Sequence, residues 1–321
     1  MEAYLGIDVG SVTTKFAVLD KNDELVTTLY LLTQGKPVDM VQQGLKQIKD
    51  QLPEEVNICG AATTGSARYL AGVIVGADLV KNEITSHAVA TLHYIPETQT
   101  IIEIGGQDSK IIIIRDEIVT DFGMNTVCAA GTGSFLDHQA LRLNMTIEEF
   151  SQRALNNTTP VRIAGRCTVF AESDMIHKQQ MGHRTEDIIY GLCQALVRNY
   201  LNNVGLGKDI QSPIVFQGGV AFNQAIVKAF QEELNTEIII PSYHEVMGAI
   251  GAALLVHEEM SASSNGSRFK GFGISEVKYY TSSFECKACP NLCEIAQLWQ
   301  DSKILARWGG RCDLWERNPS N

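Results

Sequence analysis

Proline and tryptophan are scarce in this 321-residue chain, at 8 and 3 residues, and no basic cluster interleaves with aromatic side chains. Beside 27 Gly, so little proline excludes a collagen-like repeat or a disordered low-complexity chain. Lys and Arg number 26 against 37 Asp and Glu, a net charge of −11. That balance excludes nucleic acid or an anionic membrane as the main partner, so a small anionic ligand must be held by local groups. Apolar runs such as Met247 to Val256 are too short to cross a bilayer. The opening MEAYLGIDVG carries acids where a secretion signal needs bases, which places the chain in the cytoplasm. Eight cysteines are too few for a disulfide scaffold; in that compartment, clustered thiols point to metal or redox chemistry.

Along the chain, YLGIDV, TKFAVLD and ELVTTLYLL read as three strands of an antiparallel meander, followed by a helix near Val38 to Asp50 and the strand VNICGAA. The grammar recurs at Thr100 to Ile104, KIIIIRD and EIVTDFG. Laying YLGIDVGSVTTKFAVLD over IIEIGGQDSKIIIIRD pairs strand, Gly/Asp/Ser turn and returning strand, the mark of an internal duplication. Helices are expected at 129–143, 168–180, 185–204, 223–234 and 246–259. SASSNGSRFKGFG reads as a linker. Cys59 and Cys193 sit in apolar sequence as core residues.

Three glycine turns follow strands. Gly10, Ser11, Thr13, Thr14 and Lys15 offer backbone approach, hydroxyl donors and a charge, with Asp8 at the strand end suited to the water shell of Mg²⁺. Gly105, Gly106, Gln107, Asp108 and Ser109 form the matching loop, where Gln107 or Asp108 could orient a water. Gly218 and Gly219 form a third. This ordered set resembles the actin, sugar-kinase and heat-shock ATPase superfamily. The resemblance implies an α/β fold of two ribonuclease-H-like lobes clamping ATP or ADP with Mg²⁺: 1–95, completed by the helix at 246–259, and 96–245, with a linker and Cys-rich tail at 262–321. Phosphates would lie on the first two turns and adenosine on the third. Val12 and Gly131 join the nucleotide-binding set.

Cys128, in NTVCAAGTGSFLD, and Cys167, in RCTVFAESD, each precede a predicted helix, whose N-terminus favours a thiolate. A [4Fe–4S] cluster takes four thiolates, and a two-fold homodimer would present each cysteine twice. Helix-capping thiols without a ligand are the plainer reading of the spacing alone. These motifs, with LGIDVGSVTTK, EIGGQDSK, FQGGVAFN and MGAIGAALL, resemble the activators of 2-hydroxyacyl-CoA dehydratases and the ATPase subunits of benzoyl-CoA reductases.

That resemblance implies a homodimeric, ATP-hydrolysing iron–sulfur reductase component with one [4Fe–4S] cluster held by Cys128 and Cys167 of both chains. It would pass a low-potential electron to an Fe–S dehydratase, a benzoyl-CoA-type reductase or a double-cubane-cluster protein, with a ferredoxin or flavodoxin as donor. A small-molecule kinase and a non-redox nucleotide-dependent scaffold are the alternatives on the same fold. The tail departs from the activators and resembles the segment joining activator modules to later domains in fused members, and activators paired with double-cubane proteins. Its Cys286, Cys289, Cys293 and Cys312 could bind a second cluster or zinc. Truncation after about Ser261 is expected to leave every upstream activity intact.

Overall fold

The computed structural model describes residues 1–125, 128–263, 265–312 and 314–315. They divide into two compact units, Met1–Ser86 with Gly248–Asn321, and His87–Met247.

The first unit opens with β1 (Glu2–Val9), β2 (Thr13–Asp20) and β3 (Leu25–Leu32), then α1 (Pro37–Gln51), β4 (Asn57–Thr64), α2 (Arg68–Val75) and the short β5 (Leu79–Val80). Its sheet runs β3-β2-β1-β4-β5, with β1 antiparallel to β2 and parallel to β4. Every residue of β1 after Glu2 is buried, as a central strand covered on both faces requires. Val41, Leu45 and Ile48 recur at helical spacing on α1 and pack with Leu5, Ile7 and Phe16.

Helix α3 (Glu83–Tyr94) contains the boundary between the units. The second unit repeats the plan with β6 (Thr100–Ile104), β7 (Ser109–Arg115) and β8 (Ile118–Asn125), then α4 (Gly133–Arg142), α5 (Ile147–Leu155), α6 (Thr168–Gln180), α7 (Thr185–Asn203), β9 (Ile214–Gln217), α8 (Gln224–Leu234) and β10 (Ile238–Ile239). Its order is β10-β9-β6-β7-β8, and β6 is antiparallel to β7 and parallel to β9. Strand order and direction therefore match the first sheet, pair for pair. Helix α7 is buried along most of its length, with Tyr190 and Tyr200 among the largest side chains in the core. Cys193 lies there fully buried, its thiol pushed up by desolvation, whereas Cys59 is only half-buried on β4.

Helix α9 (Met247–Ala262) returns the chain to the first unit, where Ala252 and Val256 pack with Tyr4 and Ala62. Beyond it come β11 (Tyr279–Glu285), β12 (Glu294–Gln300) and β13 (Lys303–Trp308), an antiparallel sheet that the sequence did not announce. This segment is fastened to the first unit. Ile274 and Leu298 enter its apolar core, and Gln42 Nε2 on α1 donates to the carbonyls of Ile274 at 2.9 Å and Val277 at 2.6 Å. Asp78 accepts from Ser267 Oγ and the Arg268 N–H, each at 2.6 Å. A chain ended at Ser261, expected to keep every upstream activity, would expose the faces that Ile274 and Leu298 cover. Each such side chain is worth about 1.5–3 kcal/mol, so a lowered melting temperature is expected by calorimetry; an unchanged melt would show the packing to be inconsequential.

Candidate functional site

The three glycine turns lie at strand ends. Asp8 stands opposite Lys15 across β1 and β2, with Nζ 3.0 Å from Oδ2, and opposite Thr64 across β1 and β4. The Gly10 N–H donates to Thr13 O at 2.9 Å, closing the turn; Ser11 is exposed, while Val12 and Thr13 are half-buried. Thr14 is fully buried and shares a 2.9 Å hydrogen bond with Thr33 Oγ1, which donates on to Gly10 O. Thr14 thus braces the turn from beneath, and Lys15 is paired with Asp8. Sequence reading missed Thr64 and Gly65. Gly65 has φ +87°, and a Cβ there would lie 2.5 Å from Asp8 Oδ1, so only glycine leaves the carboxylate in place. The TTGS run after a strand parallel to β1 was the available signal.

The second turn copies the first. Gly105 N–H donates to Asp108 O at 3.0 Å, and Glu103 stands opposite Lys110 as Asp8 stands opposite Lys15. Strand register matches Asp8 with Glu103, Gly10 with Gly105 and Thr13 with Asp108, which is out of step with an overlay begun at Tyr4 on Ile101. Gln107 is exposed; Gly105, Gly106 and Asp108 are half-buried; Ser109 is buried. Lys110 Nζ lies 2.9 Å from Glu103 Oε2 and 3.0 Å from Asp108 Oδ2. Burial alone would lower its affinity for a proton, but the two carboxylates reverse that and hold the ammonium well above its usual range.

At the third turn the Gly218 N–H donates to His244 O at 2.8 Å. Gly219 opens a 3₁₀ turn to Phe222, and the α-helix begins only after it, where Asn223 Oδ1 accepts from the N–H groups of Ala225 and Ile226. Beneath lie Gln217 and His87, with Nε2 to Nδ1 at 2.9 Å. Among the described residues four buried side-chain polar atoms have no partner, and three of them are Thr64 Oγ1, Ser109 Oγ and Asn223 Nδ2, one beside each turn. An unmet buried polar group costs about 1–3 kcal/mol, so each of these atoms suits a polar ligand group at its own turn.

The cysteines come next. Cys167 is the N-cap of α6, as expected. Cys128 instead caps a three-residue 3₁₀ turn, Ala129–Gly131, and the α-helix starts at Gly133, because Thr132 is extended. Asn125 holds Cys128 from both sides, donating through Nδ2 to its carbonyl at 2.7 Å and accepting its N–H at 3.0 Å. The two cysteine segments meet at Asn199 of α7, which is buried. Its Nδ2 donates to Gly165 O at 2.6 Å, and a Cβ on Gly131 would lie 3.0 Å from its Oδ1. Gly131 is thus packed against α7. Both thiols are half-buried, and the neighbouring Val169 and Phe170 are 66% and 65% exposed. The cysteine segment is also tied to the second turn: Gly133 N–H donates to Gly105 O at 2.9 Å, and Ser134 N–H and Oγ to Gly106 O at 2.8 and 2.5 Å.

Residues 5–256 match the model of the BadF/BadG/BcrA/BcrD ATPase family. The chain belongs to that family. A 2-hydroxyisocaproyl-CoA dehydratase activator of Clostridioides difficile is 35% identical over 265 residues, 81% of this chain and 96% of that one. Component A of the (R)-2-hydroxyglutaryl-CoA dehydratase of Acidaminococcus fermentans superposes with TM-score 0.75 at 31% identity, covering 81% of this chain and 100% of that one. The Clostridium difficile activator solved with ADPNP gives 0.73 at 33% identity, over 81% and 96%. The architecture is the actin and sugar-kinase ATPase fold.

The family match stops before the tail cysteines. These collect at one end of the small sheet: Cys286 follows β11, Cys293 precedes β12, and Cys286 N–H donates to Cys293 O at 2.8 Å. Trp315 Nε1 donates to Cys286 Sγ at 3.2 Å, and this bond, with one from the Ala288 N–H, lowers that thiol from its usual range. Cys289 and Cys312 are exposed. Among the described residues no three His, Cys, Asp or Glu side chains gather closely enough to hold a metal ion. Nor is any described helix long and apolar enough to cross a membrane.

Proposed function

We propose that this chain is an ATP-hydrolysing activator that drives a low-potential electron into a partner Fe–S enzyme, of the 2-hydroxyacyl-CoA dehydratase, benzoyl-CoA reductase or double-cubane kind. The observation that carries the reading is the set of hydrogen bonds from Gly133 and Ser134 to the carbonyls of Gly105 and Gly106. A phosphate-binding turn cannot shift on hydrolysis without moving the segment that bears Cys128. Cys128 and Cys167 supply two thiolates per chain, so two copies complete the four that a [4Fe–4S] cluster takes. Exposed Val169 and Phe170, directly after Cys167, give that contact an apolar surface. When bound, the cluster supplies one-electron chemistry. Asp8 would hold the hydrated Mg²⁺ of the nucleotide, Gly105 and Gly106 would present their N–H edge to phosphate, and Gln107, exposed at the tip, would orient the attacking water. Coupling requires that the partner distinguish the two nucleotide states, and a ferredoxin or flavodoxin would recharge the protein.

The test is a mixing experiment under anaerobic conditions, with dithionite-reduced protein and a double-cubane or dehydratase acceptor. Loss of the reduced-cluster signal with ATP, and not with ADPNP, is expected. Equal transfer with either nucleotide would refute the coupling, and stoichiometric phosphorylation of a small molecule by an iron-free protein would favour a kinase.

A further inference from the structure

Each phosphate turn is closed at its base by a carboxylate and a lysine in facing register, Asp8 with Lys15 and Glu103 with Lys110. In the second pair the lysine also takes a carboxylate from the turn itself, Asp108, at 3.0 Å. Lys110 and Glu103 have side chains 5% and 4% exposed, while Asp108, at 35%, reaches the surface of the turn. Tyr200, fully buried on α7, donates its hydroxyl to Lys110 O at 2.7 Å and fixes the strand beneath the ammonium. The buried Glu103 carboxylate needs a cation beside it, and the buried ammonium of Lys110 in turn needs its carboxylates.

We propose that Lys110 is a positioning residue for ATP hydrolysis: anchored by Glu103, it fixes Asp108 and so sets the shape of the Gly105–Ser109 turn. Asp108 is held by this contact, which leaves Gln107 as the turn's side chain for the attacking water. The inference rests on the ATPase reading above and deepens it by separating the parts played by Gln107 and Asp108. A misplacement of about 1 Å at a reacting centre costs on the order of a hundredfold in rate, so a loosened turn should act on the chemical step more than on nucleotide binding.

The experiment is steady-state ATP hydrolysis by the full-length chain, with Lys110→Met, Asp108→Asn and the double variant compared with the wild type. Lys110→Met and Asp108→Asn should each lower kcat by roughly tenfold to a hundredfold, with KM for ATP within about threefold of the wild type. The double variant should be no slower than the slower single one, because both break the same clamp. Losses that multiply, or a kcat unchanged in Asp108→Asn, would overturn the proposal. If circular dichroism finds Lys110→Met unfolded, Asp108→Asn decides the matter, since its side chain lies at the surface of the turn. An inactive wild type would overturn the ATPase reading, and this proposal with it; an active wild type equalled by a folded Lys110→Met would overturn the clamp alone.

Discussion

Asp8→Ala is expected to cut ATP hydrolysis by roughly a hundredfold or more, while iron content stays at the wild-type level. The carboxylate stands at the end of a buried strand, 3.0 Å from Lys15, with Thr64 opposite and Gly65 beside it, where any side chain would collide with Oδ1. Phosphoryl transfer depends on charge placed in advance around the transferring group, and under the proposed function Asp8 would hold the hydrated Mg²⁺ there. The variant also breaks an ion pair whose side chains are 6% and 12% exposed, so its melting temperature should be recorded beside its turnover. Asp8→Asn keeps the shape and removes the charge, and it should lose activity with a smaller change in stability. Full turnover in a folded Asp8→Asn protein would make Asp8 a structural strand-end residue.

Cys128→Ser and Cys167→Ser should each lose the bridging cluster outright and keep nucleotide binding. In the proposed two-fold site each substitution would remove two thiolates, because the same position is lost from both copies. Asp8, Lys15 and Gly65 of the first turn belong to the first unit, while Cys128 caps a 3₁₀ turn and Cys167 caps α6 in the second. Fluorescent ADP should therefore bind both variants with wild-type affinity. Cluster iron retained in either variant would remove that cysteine from the site.

The plan of the fold was legible because its signals are local. The apolar strands, the Asp8–Lys15 and Gly105–Ser109 turns, and helix α7 with Ile188, Leu192 and Leu196 on its buried face could all be read from periodicity and turn chemistry. The duplication was legible too, but its register was not, since Gly and Asp recur within two residues of one another and only strand pairing matches Asp8 with Glu103. Asn199 and Thr64 escaped notice because their importance lies in neighbours distant in sequence, Gly131 and Gly165 for one and Asp8 for the other. The start of α4 was misplaced for a similar reason: the N–H groups of Gly133 and Ser134 are claimed by Gly105 and Gly106, which sets the helix start at Gly133. The tail was read by its cysteines, yet Ile274 and Leu298 bind it to the first unit's core.

The most direct test of the central claim is the iron content of the anaerobically purified full-length protein, measured with its oligomeric state. The account predicts a dimer carrying about four irons, one cubane across two chains, with a brown colour that disappears in Cys128→Ser. A colourless, iron-free dimer or monomer that still hydrolyses ATP would contradict it.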